Sequence, residues 1–229
     1  MFNGKLSVFL TVGNKNQKEL CEKIVSMTPG LRRYSVTVVS DDDCGHRLGS
    51  GGAVLNILHN HYKCGEKIVI VNSGGVSKRS VNYAVRSKAF ANIEYDNEVI
   101  SLMELILINA EKIMESVSSG ILVCCSDIIV HTDKSSFNLI DNTGLCMETD
   151  FITASRHGVM LCDAETVMTD YYHKRPPEFL QSVVGDNNGC GVCVDTGITY
   201  FTDNFSYALK ELAESPEFEC IYFRKNIEL

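Results

Sequence analysis

Short apolar runs of β-strand character alternate with amphipathic, helix-like segments along the chain, and this alternation constrains the fold more than any other feature. It is typical of a parallel sheet whose strands are connected by helices. The predicted strands are residues 35–39, 67–71, 120–125, 158–162 and 192–201, and the predicted helices are 17–27, 53–61, 102–117 and 205–214. We therefore predict an α/β fold with an open, mostly parallel sheet, helices on both faces, and ligands beyond the carboxyl ends of the strands.

The length of 229 residues suits one α/β domain with a well-buried core, so we expect a single domain over residues 1–229. The pattern of residues 163–184 is mixed. Pro176 and Pro177 are expected to interrupt any helix in that segment, because proline lacks the backbone N–H and clashes with the preceding turn.

The net charge of −8 argues against a nucleic-acid partner, since phosphate backbones are bound by clustered Lys and Arg. The apolar run at residues 6–12 is too short to cross a bilayer, so we expect a cytoplasmic protein without a membrane partner. Most of the ten cysteines lie in apolar strands, where free Cys acts as a small hydrophobic residue. The one Cys-x-x-Cys, Cys190 with Cys193, lacks a second pair at zinc spacing, and we interpret it as structural.

A first glycine-rich segment, Gly49, Ser50, Gly51 and Gly52, lies between a predicted strand and the predicted helix 53–61. Glycines there let a ligand approach the backbone, and a helix N-terminus offers unpaired N–H groups. The segment is neither a dinucleotide fingerprint nor a P-loop. It predicts either a nucleotide contact or a plain turn.

A second glycine-rich segment follows the predicted strand 67–71. Gly74 and Gly75 are followed by Ser77, Arg79 and, nine residues later, Lys88. Backbone N–H groups, a hydroxyl and two cations together suit a triphosphate, because they bind phosphate oxygens and neutralise charge on a leaving pyrophosphate. The alternative is a solvated basic stretch.

Two aspartates follow or interrupt apolar strands and are candidate ligands of Mg²⁺, which proteins hold with one or two carboxylates plus phosphate oxygens. Asp127 follows the run 120–126, and Asp195 interrupts the run 194–200; we interpret both as strand-end carboxylates. A competing site is Asp41 with Asp43, the Asp-x-Asp pattern of glycosyltransferases that hold a nucleotide-sugar through a metal.

Five segments carry a family resemblance in chain order. They are Leu10-Thr-Val-Gly-Asn-Lys-Asn-Gln17, Leu48-Gly-Ser-Gly-Gly-Ala53, Ser73-Gly-Gly-Val-Ser-Lys-Arg79 with Lys88, Ser155-Arg-His-Gly-Val159, and Asp195-Thr-Gly-Ile198. Together they resemble the fucose-1-phosphate guanylyltransferase (GDP-fucose pyrophosphorylase) family, which includes bifunctional fucokinase/pyrophosphorylases. The chain departs from the family pattern after Arg79, where the proline is missing, and at Ser87, which replaces a glycine. We also expect the family's C-terminal β-helical part to be absent.

The resemblance implies a nucleotidyltransferase core of the GT-A type that joins a nucleoside triphosphate, GTP favoured, to a sugar 1-phosphate similar to fucose 1-phosphate, with Mg²⁺. It assigns the triphosphate to Gly74, Gly75 and Arg79, and the reacting phosphates to Lys88. It assigns Mg²⁺ to Asp127, with Asp195 as a further metal or substrate ligand. His157, Gly158 and Lys174 are expected to bind the sugar phosphate. The alternative is a catalytically silent module that binds a sugar nucleotide and regulates a larger enzyme.

Overall fold

The computed structural model describes residues 6–42, 48–73, 87–130, 139–185 and 192–215. The chain divides into two compact units, Met1–Thr143 with Tyr200–Leu229, and Gly144–Thr199. The second unit is thus inserted into the chain of the first. The expected single domain over residues 1–229 stays a prediction, because compact units of this kind also occur within one domain.

Within the described ranges, strands and helices alternate as the sequence predicts. The strands are β1 (Ser7–Val12), β2 (Ser35–Ser40), β3 (Lys67–Asn72), β4 (Asn92–Tyr95), β5 (Glu98–Ser101), β6 (Gly120–Cys125), β7 (Thr143–Thr149), β8 (Gly158–Cys162), β9 (Met168–His173) and β10 (Val192–Phe201). The helices are α1 (Lys15–Met27), α2 (Gly49–His61), α3 (Leu102–Ile113), α4 (Phe151–Ala154), α5 (Pro177–Val184) and α6 (Asp203–Glu214).

The first unit is built on four parallel strands in the order β2-β1-β3-β6. Val8 is paired with Val36 on one side and Val69 on the other, and Ile68 is paired with Ile121. Strands β4 and β5 form a separate antiparallel hairpin. Because parallel strands share one direction, the residues that follow β1, β2, β3 and β6 meet at one edge of the sheet.

Both faces of this parallel sheet are buried. Phe9 and Ile70 pack with Ile57 and Leu58 of α2 in one apolar cluster. Successive strand residues point to opposite faces, so the complete burial of Leu10 shows that the other face is covered too. The predicted fold class, an α/β protein with an open, mostly parallel sheet and helices on both faces, is confirmed.

Local side-chain caps fix where the helices of the first unit begin. Asn14 accepts a hydrogen bond from the backbone N–H of Gln17 at the start of α1. Ser101 and Glu104 form a reciprocal capping box at the start of α3. Such caps satisfy backbone donors that the first helical turn leaves unpaired, and each contributes about 1 kcal/mol.

The second unit is antiparallel where its pairing is described. Gly158 of β8 is paired with His173 of β9, and Val194 of β10 is paired with Val159 of β8. Strand β7 also pairs with β10. A small core of Ala154, Val159, Leu180, Val192 and Val194 covers one face. Along β10 buried residues alternate with half-buried ones, so the opposite face is more open.

Some element bounds differ from the predictions. The apolar run 6–12 contains β1, which pairs with both β2 and β3. The helix predicted over 102–117 ends at Ile113 and continues as the 3-10 turn Met114–Ser116. The mixed segment 163–184 contains β9 and α5. Pro176 and Pro177 do not interrupt α5: the helix begins at Pro177, where the missing N–H has no helical partner to lose.

Across the described ranges, the helices are too short or too polar to cross a bilayer.

Candidate functional site

The carboxyl ends of the parallel strands are tied together by backbone hydrogen bonds just beyond the sheet. Asp41 N donates to Val12 O at 2.7 Å, Ser73 N to Thr11 O at 3.0 Å, and Ser126 N to Asn72 O at 3.0 Å. The residues that follow β2, β3 and β6 are therefore held in fixed positions relative to one another. This is the edge at which open α/β sheets bind their ligands.

Two predicted catalytic residues meet at this edge. Lys88 Nζ lies 3.5 Å from Asp127 Oδ2, and the side chains are 40% and 60% exposed. Asp127 follows β6, as predicted, and Lys88 begins the 3-10 turn Lys88–Phe90. An exposed pair of this kind contributes only about 0–1 kcal/mol to stability. Both groups are therefore available to a phosphate and a cation at little energetic cost.

Polar residues that were not predicted as site residues also lie at this edge of the sheet. Thr11 Oγ1 donates to Asn72 Oδ1 at 3.0 Å. The hydroxyls of Ser73 and Ser87 are hydrogen-bonded to each other and buried. The signal that could have found them is position, since Asn72 and Ser73 end a buried strand and Ser87 precedes the selected Lys88.

The first glycine-rich segment lies inside a helix, which corrects the prediction of a loop before a helix at residue 53. Helix α2 begins at Gly49, so Gly49, Ser50, Gly51 and Gly52 form its first turn. Gly49 has a φ of +72°, a conformation that favours glycine, and a Cβ there would meet nothing within 4 Å. Gly49, Ser50 and Gly51 are exposed and Gly52 is buried, and their predicted contact with a nucleotide stays a prediction.

The first carboxylate of the competing Asp-x-Asp site, Asp41, already accepts a backbone hydrogen bond. Asp41 is buried, and its Oδ1 accepts from Leu48 N at 3.1 Å. The carboxylate of Asp42 is hydrogen-bonded to the Ser40 hydroxyl. Asp43 lies outside the described residues. Asp41 therefore has a structural role in fixing the entry to α2.

Gly74, Gly75, Ser77 and Arg79 also lie outside the described residues, so their predicted contacts with the triphosphate stay predictions.

The predicted substrate residues of the second unit are neighbours along adjacent strands, and one tyrosine lies against two of them, Gly158 and Asp195. Lys174 N donates to His157 O at 3.0 Å, which joins the end of β9 to the residue before β8. Val194 is paired with Val159 in an antiparallel ladder, so Asp195 and Gly158 lie side by side. Tyr171 connects them, because its hydroxyl donates to Asp195 Oδ2 at 3.2 Å.

Gly158 leaves the space that Tyr171 occupies. A Cβ on Gly158 would lie 2.0 Å from the Tyr171 hydroxyl. Burial, and then the charge of Asp195, raise the pKa of Tyr171, so the phenol stays protonated and donates to the carboxylate. The role of Tyr171 could not be predicted from the sequence, because Asp195 and Gly158 lie on neighbouring strands and not near Tyr171 in sequence.

Asp195 is not at a strand end, which corrects the prediction. It lies within β10, and its Oδ1 accepts from Gly197 N at 2.6 Å. Asp127 and Asp195, the two predicted metal ligands, belong to different units. In the described residues no three His, Cys, Asp or Glu side chains form a group that could hold a metal ion. The carboxylate of Asp127 nonetheless suits Mg²⁺, which needs only one or two carboxylates when phosphate oxygens complete its shell.

The Cys-x-x-Cys lies partly outside the described residues. Cys193 is a free, half-buried thiol of β10, whereas the position of Cys190 is not described. Its interpretation as structural stays a prediction.

Comparisons with known proteins point to one family. The family described as the fucose pyrophosphorylase domain matches residues 64–229. Fucose-1-phosphate guanylyltransferase from Homo sapiens is 28% identical over 138 residues, which are 53% of this chain and 22% of that protein. The same enzyme from Mus musculus is 24% identical over 162 residues, 65% of this chain and 28% of that protein. The chain therefore matches about a quarter of the length of these curated relatives.

One solved structure gives a distant likeness. A crystal structure of UDP-glucose pyrophosphorylase complexed with UDP-glucose covers 90% of this chain, and the match spans 80% of that chain. The sequence identity is 13% and the TM-score is 0.34. A TM-score at this level does not establish a shared fold.

Proposed function

Because the chain belongs to the fucose pyrophosphorylase family, we propose that it transfers a nucleotidyl group from a nucleoside triphosphate to a sugar 1-phosphate. GTP is the favoured donor, and a sugar similar to fucose 1-phosphate is the favoured acceptor. The products are a nucleoside diphosphate sugar and pyrophosphate. The proposed setting is the cytoplasm.

The observation that carries this proposal is the meeting of Lys88 and Asp127 at the carboxyl edge of the parallel sheet. Phosphoryl transfer depends mainly on positioning and on neutralising charge. An exposed ammonium beside an exposed carboxylate supplies one group for phosphate oxygens and one for a divalent cation. The family match includes both residues, since it covers residues 64–229.

In the proposed reaction an oxygen of the sugar phosphate attacks the α-phosphorus of the triphosphate. A new P–O bond forms as the bond from the α-phosphorus to the β-phosphate oxygen breaks, and pyrophosphate leaves. Lys88 binds the reacting phosphate oxygens and neutralises their charge as the bond order changes. No proton needs to be removed from an ionised phosphate, so the step requires no general base.

Asp127 is the residue that would hold Mg²⁺, because carboxylate oxygens are the ligands this ion prefers. The bound ion would supply charge neutralisation and orientation for the triphosphate. Asp127 itself orients Lys88 through their 3.5 Å contact before substrate binds.

The sugar phosphate is proposed to bind at the second unit's cluster of His157, Gly158, Lys174 and Asp195. Lys174 is an exposed cation suited to a phosphate, and Asp195 is a half-buried carboxylate suited to sugar hydroxyls. Tyr171 joins this cluster, because its hydroxyl holds Asp195 in place and its side chain is 46% exposed.

A panel of the four ribonucleoside triphosphates against several sugar 1-phosphates, with Mg²⁺ and measurement of pyrophosphate release, tests the proposal. Release that needs both substrates and is fastest with GTP and fucose 1-phosphate is the expected result. Nucleotide binding without release from any pair would instead support the silent regulatory module. Loss of metal binding in a folded Asp41→Asn/Asp43→Asn protein, with Asp127 intact, would support the Asp-x-Asp glycosyltransferase.

A further inference from the structure

The hydroxyl groups of Ser73 and Ser87 form a buried contact next to the Lys88–Asp127 pair. The two residues are 9% and 3% exposed, and their Oγ atoms are hydrogen-bonded to each other. Ser87 Oγ also accepts from Ala89 N at 3.2 Å, within the turn that begins at Lys88. Buried hydroxyls of this kind stabilise one geometry strongly, because an unpaired partner would lose its solvation without compensation.

The backbone of Ser87 shows that its position is held against a conformational cost. Its φ is +68° and its ψ is 144°, a combination that side-chain-bearing residues rarely adopt. Such a backbone is strained and persists only where surrounding contacts determine it. Glycine would adopt this conformation without strain. What serine provides here, and glycine would not, is the hydroxyl group and its hydrogen bonds.

Ser73 is fixed by a backbone hydrogen bond to β1, at the same edge of the sheet as Asp127. Its N–H donates to Thr11 O at 3.0 Å. The preceding residue, Asn72, accepts from Ser126 N at 3.0 Å, and Ser126 is joined directly to Asp127. Ser87 is joined directly to Lys88. The Ser73–Ser87 hydrogen bond therefore connects two segments of the chain. One is the end of β3, which is bonded to the residue before Asp127, and the other is the residue before Lys88.

We propose that Ser73 and Ser87 are positioning residues that hold Lys88 beside Asp127. The inference rests on the proposed function, in which Lys88 binds the reacting phosphates. Neither hydroxyl touches substrate. They act by fixing the backbone before Lys88 to the end of β3, so their effect on the reaction passes through Lys88.

The test compares Ser73→Ala in the wild-type protein and in a Lys88→Gln background. We expect kcat to fall about tenfold in the first, which corresponds to the loss of one buried hydrogen bond. The KM for the nucleotide should change less than the kcat. In the Lys88→Gln background Ser73→Ala should have no further effect on kcat, because the side chain through which Ser73 acts is already gone.

Ser87→Gly separates positioning from folding. Glycine removes the hydroxyl but also relieves the backbone strain at φ +68°, so the thermal midpoint should stay close to that of the wild type. The kcat should still fall about as far as in Ser73→Ala. Wild-type kcat in both variants, or full additivity with Lys88→Gln, would overturn the inference.

A labelling experiment distinguishes failure of this inference from failure of the proposed function. Lysine amines are acylated briefly, and the modification of Lys88 is measured by mass spectrometry against exposed Lys23 on α1 as an internal reference. Ser73→Ala should raise the relative labelling of Lys88 at least about twofold, because the amine is no longer held beside Asp127. Increased labelling in a protein without transferase activity supports the positioning role and refutes the function. Unchanged labelling in Ser73→Ala refutes the positioning role.

Discussion

Lys88 Nζ and Asp127 Oδ2 lie 3.5 Å apart at the carboxyl edge of the parallel sheet, although the two residues are distant in sequence. Asp127 arrives directly from β6, and Lys88 is tied to the end of β3 through Ser87 and Ser73. Strands β3 and β6 are paired neighbours. The sheet topology therefore explains why a cation and a carboxylate that are distant in sequence share one site.

Asp127→Asn should abolish most of the proposed turnover and leave the fold intact. The amide keeps the shape of the side chain but removes the charge that a divalent cation needs. We expect kcat to fall about 100-fold or more. The free energy of unfolding should change by less than about 1 kcal/mol, because the ion pair with Lys88 is exposed.

Asp96→Asn is the matched control for Asp127→Asn. Asp96 is exposed in the turn between β4 and β5 with a φ of +53°, which asparagine tolerates well. Pyrophosphate release measured over a range of Mg²⁺ concentrations, with urea unfolding of each variant, provides the comparison. Wild-type turnover in Asp127→Asn would refute the assignment of the metal to this residue.

Lys174→Gln should weaken binding of the sugar phosphate and spare the nucleotide. Lys174 is exposed, and its backbone is fixed by the 3.0 Å bond to His157 O, which the substitution leaves in place. Loss of one cation from a phosphate contact is expected to raise the KM for the sugar 1-phosphate about tenfold. Lys23→Gln, on the exposed side of α1, serves as the control. Equal increases in the KM of both substrates would contradict this assignment.

The parallel sheet was predictable because its strands are buried on both faces and read as continuous apolar runs. Strands β3 and β6 are examples, with Ile68–Val71 and Ile121–Leu122 almost fully buried. Strand β9 escaped prediction because most of its residues are exposed, so neither an apolar run nor an alternation marks it. The Lys88–Asp127 contact was not predictable from spacing, since it joins two residues that are distant in sequence and meet only in the tertiary structure.

Tyr171→Phe should reproduce the effect of Gly158→Ala. A methyl group on Gly158 would meet the Tyr171 hydroxyl at 2.0 Å, and the half-exposed ring can swing away at little cost. Either change breaks the bond to Asp195. We expect a similar rise, about 3–10-fold, in the KM for the sugar 1-phosphate and a loss of stability below about 1.5 kcal/mol. If only Gly158→Ala had an effect, the loss would stem from crowding and not from the Tyr171–Asp195 bond.

Gly120→Ala should destabilise the protein far more than Gly65→Ala. Both glycines have positive φ, +113° and +85°, but a Cβ on Gly120 would lie 2.7 Å from Phe201 O and from the Tyr200 ring. Tyr200 is buried and bonded to Ser119 O, so it cannot move aside. We expect a loss of about 3 kcal/mol at Gly120 and about 1 kcal/mol at Gly65, where nothing lies within 4 Å. Urea unfolding of the two variants measures the difference, and equal losses would show that backbone strain alone governs both sites.

Stability should fall as the pH rises above 9, and the buried thiol of Cys124 should account for part of the slope. Burial raises the pKa of Cys124 from its ordinary value of 9.0 to about 12. Below pH 9 the thiol is protonated in both the folded and the unfolded chain, so its ionisation does not change the free energy of unfolding there. Between pH 9 and about 12 the unfolded chain loses this proton and the folded chain keeps it, which favours unfolding by about 1.4 kcal/mol per pH unit.

Cys124→Ala removes this titration, so its stability should depend less steeply on pH although its absolute stability is lower. Burial also raises the pKa of Tyr34 to about 12 and that of Cys21 to about 11, and both groups destabilise the folded chain in the same direction as the pH rises. They are present in both proteins, so the difference between the two slopes isolates Cys124. Urea unfolding from about pH 8 to about pH 11 gives the slopes. Identical slopes would mean that the Cys124 thiol ionises as readily in the folded chain as in the unfolded one.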